Sequence, residues 1–336
     1  MELKEALFYK KLRNNDVTCQ LCPRYCVIKN SERGNCGTRT NINGILYSVV
    51  YGMPCSIAID PIEKKPFYHF LPSSKSLSIG TVGCNLHCQH CQNWQISQAR
   101  FEDVPHLEAL PESIIQQAKA NNVKSISFTY TEPTVYWEYA YDIAKLAKRE
   151  NIKCTIVSNG YINPAPLKKL IPYIKSANID LKGNALFYEK VCDGKIQHVL
   201  ETLKLLKEKK VWLEITNLII PGHNDNTEEI KETVSWIKEN LGLEVPLHFS
   251  AFYPCYKLNN VPATQPEFLF KAKAIAKQQG LKFVYIGNIK DEEGSTTFCP
   301  KCNFPVIKRK NFNVVENKLK KGKCPNCKQK LPGIWQ

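Results

Sequence analysis

Three cysteines stand within eight residues of one another in GTVGCNLHCQHCQN (residues 80–93): Cys84, Cys88 and Cys91, spaced C-x3-C-x2-C. Thiolates are soft ligands for zinc and for iron–sulfur clusters, and a closed structural site usually takes four of them. Three thiolates on one compact loop can bind three irons of a cubane cluster and leave the fourth iron open to an exogenous ligand. The other reading is a zinc ion completed by His87 or His90, which lie among the cysteines. Gly83 and Asn85 suit a chain that turns tightly around a bulky centre.

Two more cysteine groups flank this loop. Cys19, Cys22, Cys26 and Cys36 follow C-x2-C-x3-C-x9-C. Four thiolates close a site with no open position; zinc is the expectation, an auxiliary iron–sulfur cluster the alternative, and a redox-active centre there could relay electrons. Cys299 and Cys302 form one C-x2-C pair, and Cys324 and Cys327 a second, 21 residues on. That pairing resembles a zinc ribbon, whose metal folds a piece too small for its own core. Rubredoxin-like iron is the other occupant. Cys55, Cys154, Cys192 and Cys255 are isolated in sequence.

At 336 residues the chain has room for one large α/β domain with small appendages. No apolar run is long enough for a membrane span. The N-terminus, MELKEALFYKKLRNND, lacks a secretory apolar core. The chain is therefore expected in the cytoplasm, where 15 cysteines read as metal ligands rather than disulfides. The net charge of +15 reads as a solvated lysine-rich surface, because the lysines are spread through helical segments such as KLLKEKK. The basic tail KRKNFNVVENKLKKGK keeps a metal-ribbon nucleic-acid-binding protein as an alternative from another class. The three-cysteine loop argues against it, since a binding module has no need of an open-sided site, and nucleic acid is not the expected partner.

The elements that must position these cysteines alternate. Runs rich in β-formers occupy residues 76–81, 124–130, 153–158, 177–182, 212–220, 247–252 and 282–287. Amphipathic helical patterns lie between them, among them residues 133–149, 196–209 and 226–240. Strands spaced by helices predict βαβ units, a parallel sheet, and working groups at the C-terminal strand ends. The expected division is an N-terminal four-cysteine module and extension over 1–73, a core over 74–290, and a ribbon-like module over 291–336.

C-x3-C-x2-C after the first strand of such a series resembles the radical S-adenosylmethionine (radical SAM) superfamily. The resemblance implies an α/β fold: a partial or complete TIM-like (βα) barrel with small cysteine-rich metal modules at both ends. It implies a [4Fe-4S] cluster on Cys84, Cys88 and Cys91, and SAM on its open iron. His90, just ahead of the last cysteine, holds the position of a ring that packs on the adenine. FTYTEPT (128–134) resembles the segment that receives the methionine amino group, with Glu132 as acceptor; the bland reading is that Glu132 and Pro133 start a helix. SNGY (158–161) and DLKG (180–183) resemble segments of glycyl-radical-enzyme activases. They imply Asn159 near the ribose and Lys182 facing the SAM carboxylate, with Asp180 among the SAM-binding residues. LIIPGHND (218–225) resembles the activases' PG turn, and His248 in LHFSAFYP (247–254) matches a position near the adenosyl group.

Longer motifs resemble the radical SAM enzyme of the AmmeMemoRadiSam system, a group similar to pyruvate formate-lyase activating enzymes. They are CQLCPRYC with GNCGTR, IDPIEKKPFYHFLP, CQNWQISQ, HFSAFYPCYK and the terminal PGIW. Cys255 departs from that pattern, which has an acidic residue between Pro254 and Tyr256. The resemblance implies reductive cleavage of SAM to a 5′-deoxyadenosyl radical that takes hydrogen from a substrate, or activation of a glycyl radical enzyme. It also implies a reductant such as ferredoxin or flavodoxin, and Memo-like and AMMECR-like partner proteins.

Overall fold

The computed structural model describes residues 3–336. Two small antiparallel sheets open the chain. One holds β2 (Tyr9–Lys11), β3 (Val17–Cys19) and β4 (Val27–Ile28). The other holds β1 (Lys4–Glu5), β5 (Arg39–Ile42) and β6 (Ile45–Ser48). Strands this short bury little by themselves, so they lean on helix α3 (Trp137–Arg149). Phe8 meets Trp137 edge-on at 5.0 Å, and the buried Arg39 forms a two-pronged ion pair with Glu138.

The central sheet has eight strands: β7 (Ser56–Pro61), β8 (Lys75–Gly80), β9 (Ser125–Phe128), β10 (Lys153–Ser158), β11 (Ser176–Asp180), β12 (Trp212–Ile219), β13 (Leu247–Ala251) and β14 (Val284–Gly287). They lie side by side in sequence order. β8 to β14 run parallel, and β7 pairs antiparallel with β8. The seven expected strands are all present. β7 is additional, and it starts the sheet inside the stretch expected for the N-terminal module. Its sequence, SIAIDP, is short and ends in proline, which an edge strand tolerates.

Helices connect the strands: α1 (Trp94–Ser97), α2 (Pro111–Ala120), α3, α4 (Pro164–Leu170), α5 (Ala185–Val191), α6 (Ile196–Glu208), α7 (Thr227–Leu241) and α8 (Pro266–Gln278). Asn226 caps α7 by accepting from the Glu229 amide at 2.9 Å. The pattern expected over 133–149 divides into a 3-10 turn, Pro133–Tyr136, and α3. Right-handed crossovers between sequential parallel strands put the helices on one face of the sheet.

That asymmetry is written into the strand residues. Leu77, Ile79, Ile126, Phe128, Ile156, Ile179, Ile215 and Leu247 alternate into the helix-packed core. Their neighbours on the inner face are polar: Ser76, Ser78, Ser125, Ser127, Thr155, Ser176, Asn178, Glu214 and His248, all buried. β7 and β14 are the two edges, so the barrel is partial.

The segment between β7 and β8 fills the inner face near the strand starts. Glu214 accepts from the Tyr68 and His69 amides at 3.0 and 2.9 Å, and Asn178 donates to the Pro66 carbonyl at 2.8 Å. The C-terminal module, with α9 (Glu292–Ser295), β15 (Thr297–Phe298), β16 (Pro305–Lys310) and β17 (Asn313–Asn317), clasps this plug. Arg309, fully buried, donates to the Tyr68 carbonyl at 2.8 Å and lies 4.0 Å over the Tyr68 ring. His69 and Leu71 bond in register with Ile334. Among the described residues no helix is long and apolar enough to cross a membrane.

Candidate metal and cofactor centre

The loop after β8 carries Cys84, Cys88 and Cys91 at the C-terminal edge of the sheet. Gly83 makes the turn possible. Its φ is +98°, and an added Cβ would lie 2.4 Å from Thr38 and 2.7 Å from the Cys36 carbonyl. Cys84 Sγ accepts from the Leu86 amide at 3.4 Å and faces Asn159 Nδ2 at 3.6 Å. Cys91 Sγ lies 3.2 Å from Ser97 Oγ. These three sulfurs do not converge to within 4.8 Å of one another, as ligands of one ion would. The donor set suits a polynuclear centre, in which each thiolate holds a different iron.

Strand-end residues gather around the loop. Asn159, after β10, also donates to Asn85 Oδ1 at 3.0 Å. Lys182, after β11, bonds Asp180 at 2.6 Å. Burial alone would lower its pKa, but Asp180 with the Cys88 and Cys192 thiols pushes it well above the ordinary value, so it stays a cation. The loop after β13 closes over the cysteines: Cys255 Sγ faces the His90 carbonyl at 3.3 Å, and Tyr256 stacks on Trp94 at 5.1 Å.

Glu132 is buried and committed within the chain. Its carboxylate accepts from the Thr134 amide and hydroxyl at 2.9 and 2.7 Å, from Ser158 at 2.8 Å, and from the Asn159 amide at 2.8 Å. Burial raises its pKa in spite of these donors. It thus caps the 3-10 turn and ties the ends of β9 and β10 together, and Oε2 keeps room for one more donor.

One placement was not legible in the sequence. Cys192, after α5, is fully buried, and its sulfur lies within 4.8 Å of Cys88 Sγ and a His90 ring nitrogen. No spacing rule connects Cys192 to Cys88; the contact exists only because α5 folds back onto the loop. His90 itself is buried beside Phe187, ring centroids 5.7 Å apart, with Nδ1 unpartnered. Desolvation first, then Lys182 and His223, hold it neutral, with its pKa pushed down to about 3.

His248 is not brought to the cysteine loop. Its Nε2 sits 2.8 Å from Glu214 Oε2, and its ring packs on Tyr68 and Tyr285. It supports the plug. The residue that engages its ring nitrogen is Glu214, two strand positions into β12.

A family model for the radical SAM superfamily matches residues 78–237. The uncharacterized protein MJ0808 of Methanocaldococcus jannaschii is 47% identical over 331 residues, covering 98% of this chain and 99% of that protein. The chain belongs to the radical SAM superfamily. Solved structures agree on the fold. A radical SAM methyltransferase from Sphaerobacter thermophilus matches with a TM-score of 0.52 at 13% identity, covering 65% of this chain and 67% of that one. Streptococcus suis SuiB bound to precursor peptide SuiA matches with 0.50 at 17%, covering 68% and 51%. Membership makes the protein an enzyme and implies a [4Fe-4S] cluster, SAM and a reductant.

The four C-terminal cysteines form a separate group that could hold a metal. Their sulfurs all lie within 4.8 Å of one another, with Cys299–Cys327 at 3.5 Å and Cys302–Cys324 at 3.7 Å. A tetrahedral zinc with Zn–S bonds of about 2.3 Å draws its thiolates to about 3.8 Å apart, so this geometry fits one ion.

Proposed function

We propose that this protein is a radical SAM enzyme whose cluster is held by Cys84, Cys88 and Cys91. The observation that carries the reading is the spread three-thiol loop, set at the C-terminal end of the first parallel strand beside Lys182 and Asn159. When bound there, a reduced [4Fe-4S] cluster with SAM on its open iron supplies a 5′-deoxyadenosyl radical that takes hydrogen from a substrate. The protein's own residues bind and orient. Lys182, held as a cation, pairs with the SAM carboxylate. Asn159, fixed by Asn85 and Glu132, faces the sugar. Glu132 positions Asn159 and offers its remaining lone pair to the methionine amino group. His90 and Phe187 form an apolar wall for the adenine, and the loop carrying Cys255 and Tyr256 excludes water.

On the longer motifs we assign the enzyme to the AmmeMemoRadiSam system, with Memo-like and AMMECR-like proteins as partners, and zinc to the C-terminal ribbon. Activation of a glycyl radical enzyme is the related alternative. A second reading has its own observation: Cys88, His90 and Cys192 together offer three ligands to a single ion. Anaerobic reconstitution separates the two. Under the cluster reading Cys84→Ala and Cys91→Ala lose the loop iron and 5′-deoxyadenosine formation, whereas Cys192→Ala keeps both. Retention of a metal in Cys91→Ala with loss in Cys192→Ala would favour the single ion.

A further inference from the structure

The N-terminal cysteines differ from the ribbon in a way that identifies their occupant. Cys19, Cys22, Cys26 and Cys36 line one cavity, with Arg39 and Asn85 beside them. No three of their sulfurs converge within 4.8 Å, whereas all four ribbon sulfurs do. Both groups have four thiols, and only their spread differs. A single tetrahedral ion needs sulfurs about 3.8 Å apart. Thiolates bonded to four separate irons of a cubane stand well outside that distance and surround a volume that the cluster fills.

The lining carries a second mark. Arg39 borders the same cavity, is 1% exposed, and keeps its Nε without a hydrogen-bond partner while its two terminal nitrogens are held by Glu138. A buried guanidinium with a spare donor is costly beside four neutral thiols and favourable beside an anionic centre.

The position is also specific. Asn85 lines the cavity, and Asn159 Nδ2 reaches both Asn85 Oδ1 at 3.0 Å and Cys84 Sγ at 3.6 Å. The Cys36 carbonyl packs directly on Gly83, the residue before Cys84. The two cysteine sets therefore share a wall.

We propose that Cys19, Cys22, Cys26 and Cys36 hold a closed [4Fe-4S] cluster, an electron-transfer centre rather than a zinc site. In that role it passes from the 1+ to the 2+ state as one electron crosses the Asn85–Cys84 wall, and a low-potential one-electron donor protein restores it. The relay rests on the radical-enzyme reading; the identity of the metal does not.

The test is metal and acid-labile sulfide content of the anaerobically prepared full chain. The Cys84→Ala/Cys88→Ala/Cys91→Ala variant should retain about four irons and four sulfides, with a dithionite-reducible electron paramagnetic resonance signal. In the otherwise native chain, Cys22→Ser/Cys26→Ser should lose about four irons and leave zinc unchanged. Iron unchanged with zinc falling by one, or a triple variant holding no iron, would overturn the proposal. Failure of the loop to bind a cluster would leave the first variant's iron untouched, so the two readings fail separately.

Discussion

Arg39→Met should destabilise the protein by a calculable amount that shrinks in acid. Arg39 and Glu138 are 1% and 2% exposed, and the carboxylate has three donors: Arg39 Nη1 at 3.1 Å, Arg39 Nη2 at 2.6 Å and the Leu7 amide at 2.7 Å. Removing the guanidinium leaves a buried carboxylate with one donor. The folded chain must then keep an unpaired charge or take up a proton. A glutamate in water titrates near 4.3, so protonating it at pH 7 costs about 3.7 kcal/mol at about 1.36 kcal/mol per pH unit. That falls within the roughly 3–5 kcal/mol known for breaking buried pairs from one side. The sign follows. A buried carboxylate without its cation is costly only while ionised, so the deficit should shrink in acid and grow as pH rises. Arg39→Met/Glu138→Leu removes both charges and should return to within about 1 kcal/mol of the parent. Urea unfolding between pH 5 and 7.5, at matched iron content, reads midpoints at constant slope. A single variant costing under about 1 kcal/mol, or one whose deficit ignores pH, would refute the reasoning.

Four other outcomes follow from the same geometry. Burial lowers the His69 pKa from an ordinary 6.5 to about 4, while Glu214 and the Pro332 carbonyl pull it up and Arg309 and His248 push it down. The unfolded chain takes the proton first, so stability is full above pH 6.5 and falls by about 3 kcal/mol on the way to pH 4; His69→Gln should flatten that part of the stability–pH curve. Cys302→Ser should release about one metal ion and loosen the clasp on the plug, seen as faster hydrogen exchange at Tyr68 and His69 with the loop cluster spectrum unchanged. Lys182→Ala should weaken SAM binding by roughly tenfold to a hundredfold in calorimetry, the loss of one charge-assisted bond, without altering cluster content. Glu132→Ala strands four buried donors and should cost more than about 2 kcal/mol of stability as well as SAM affinity, whereas Glu132→Gln, which keeps an acceptor, should recover most of the stability.

Sequence periodicity located the parallel strands because each carries core residues on one face, and alternation survives any tertiary context. It passed over β7, where Ile57 and Ile59 alternate for only four residues before Asp60 and Pro61, and whose place is fixed by pairing with β8. The three-cysteine loop was legible because its ligands are close in sequence. Cys192 was not, because a contact between residues 88 and 192 depends on how α5 packs. His248 shows another limit: the motif gives a strand histidine its place, but its hydrogen bond goes to Glu214, a residue without any motif. Spacing alone could not separate zinc from a cluster at the N-terminus, since both take four thiolates; the spread of the sulfurs is the observation behind the cluster proposed there.

The two ends of the barrel divide the work. At the strand starts Glu214 gathers His248, Trp212 and the Tyr68 and His69 amides, and Arg309 of the ribbon locks the outside of that plug. That end is densely bonded and carries the compact four-thiol site, which suits a metal that only holds structure. On the same inner face Ser78, Thr155 and Ser176 keep hydroxyls without partners, in one register row a step closer to the strand starts than Asn178 and Glu214. Buried hydroxyls without protein partners are completed by ordered water, so water finishes the base around the plug. Asn159 and Lys182, the polar groups beside the cysteine loop, stand at the opposite ends of these strands, so the structural base and the candidate site draw on different residues of the same sheet.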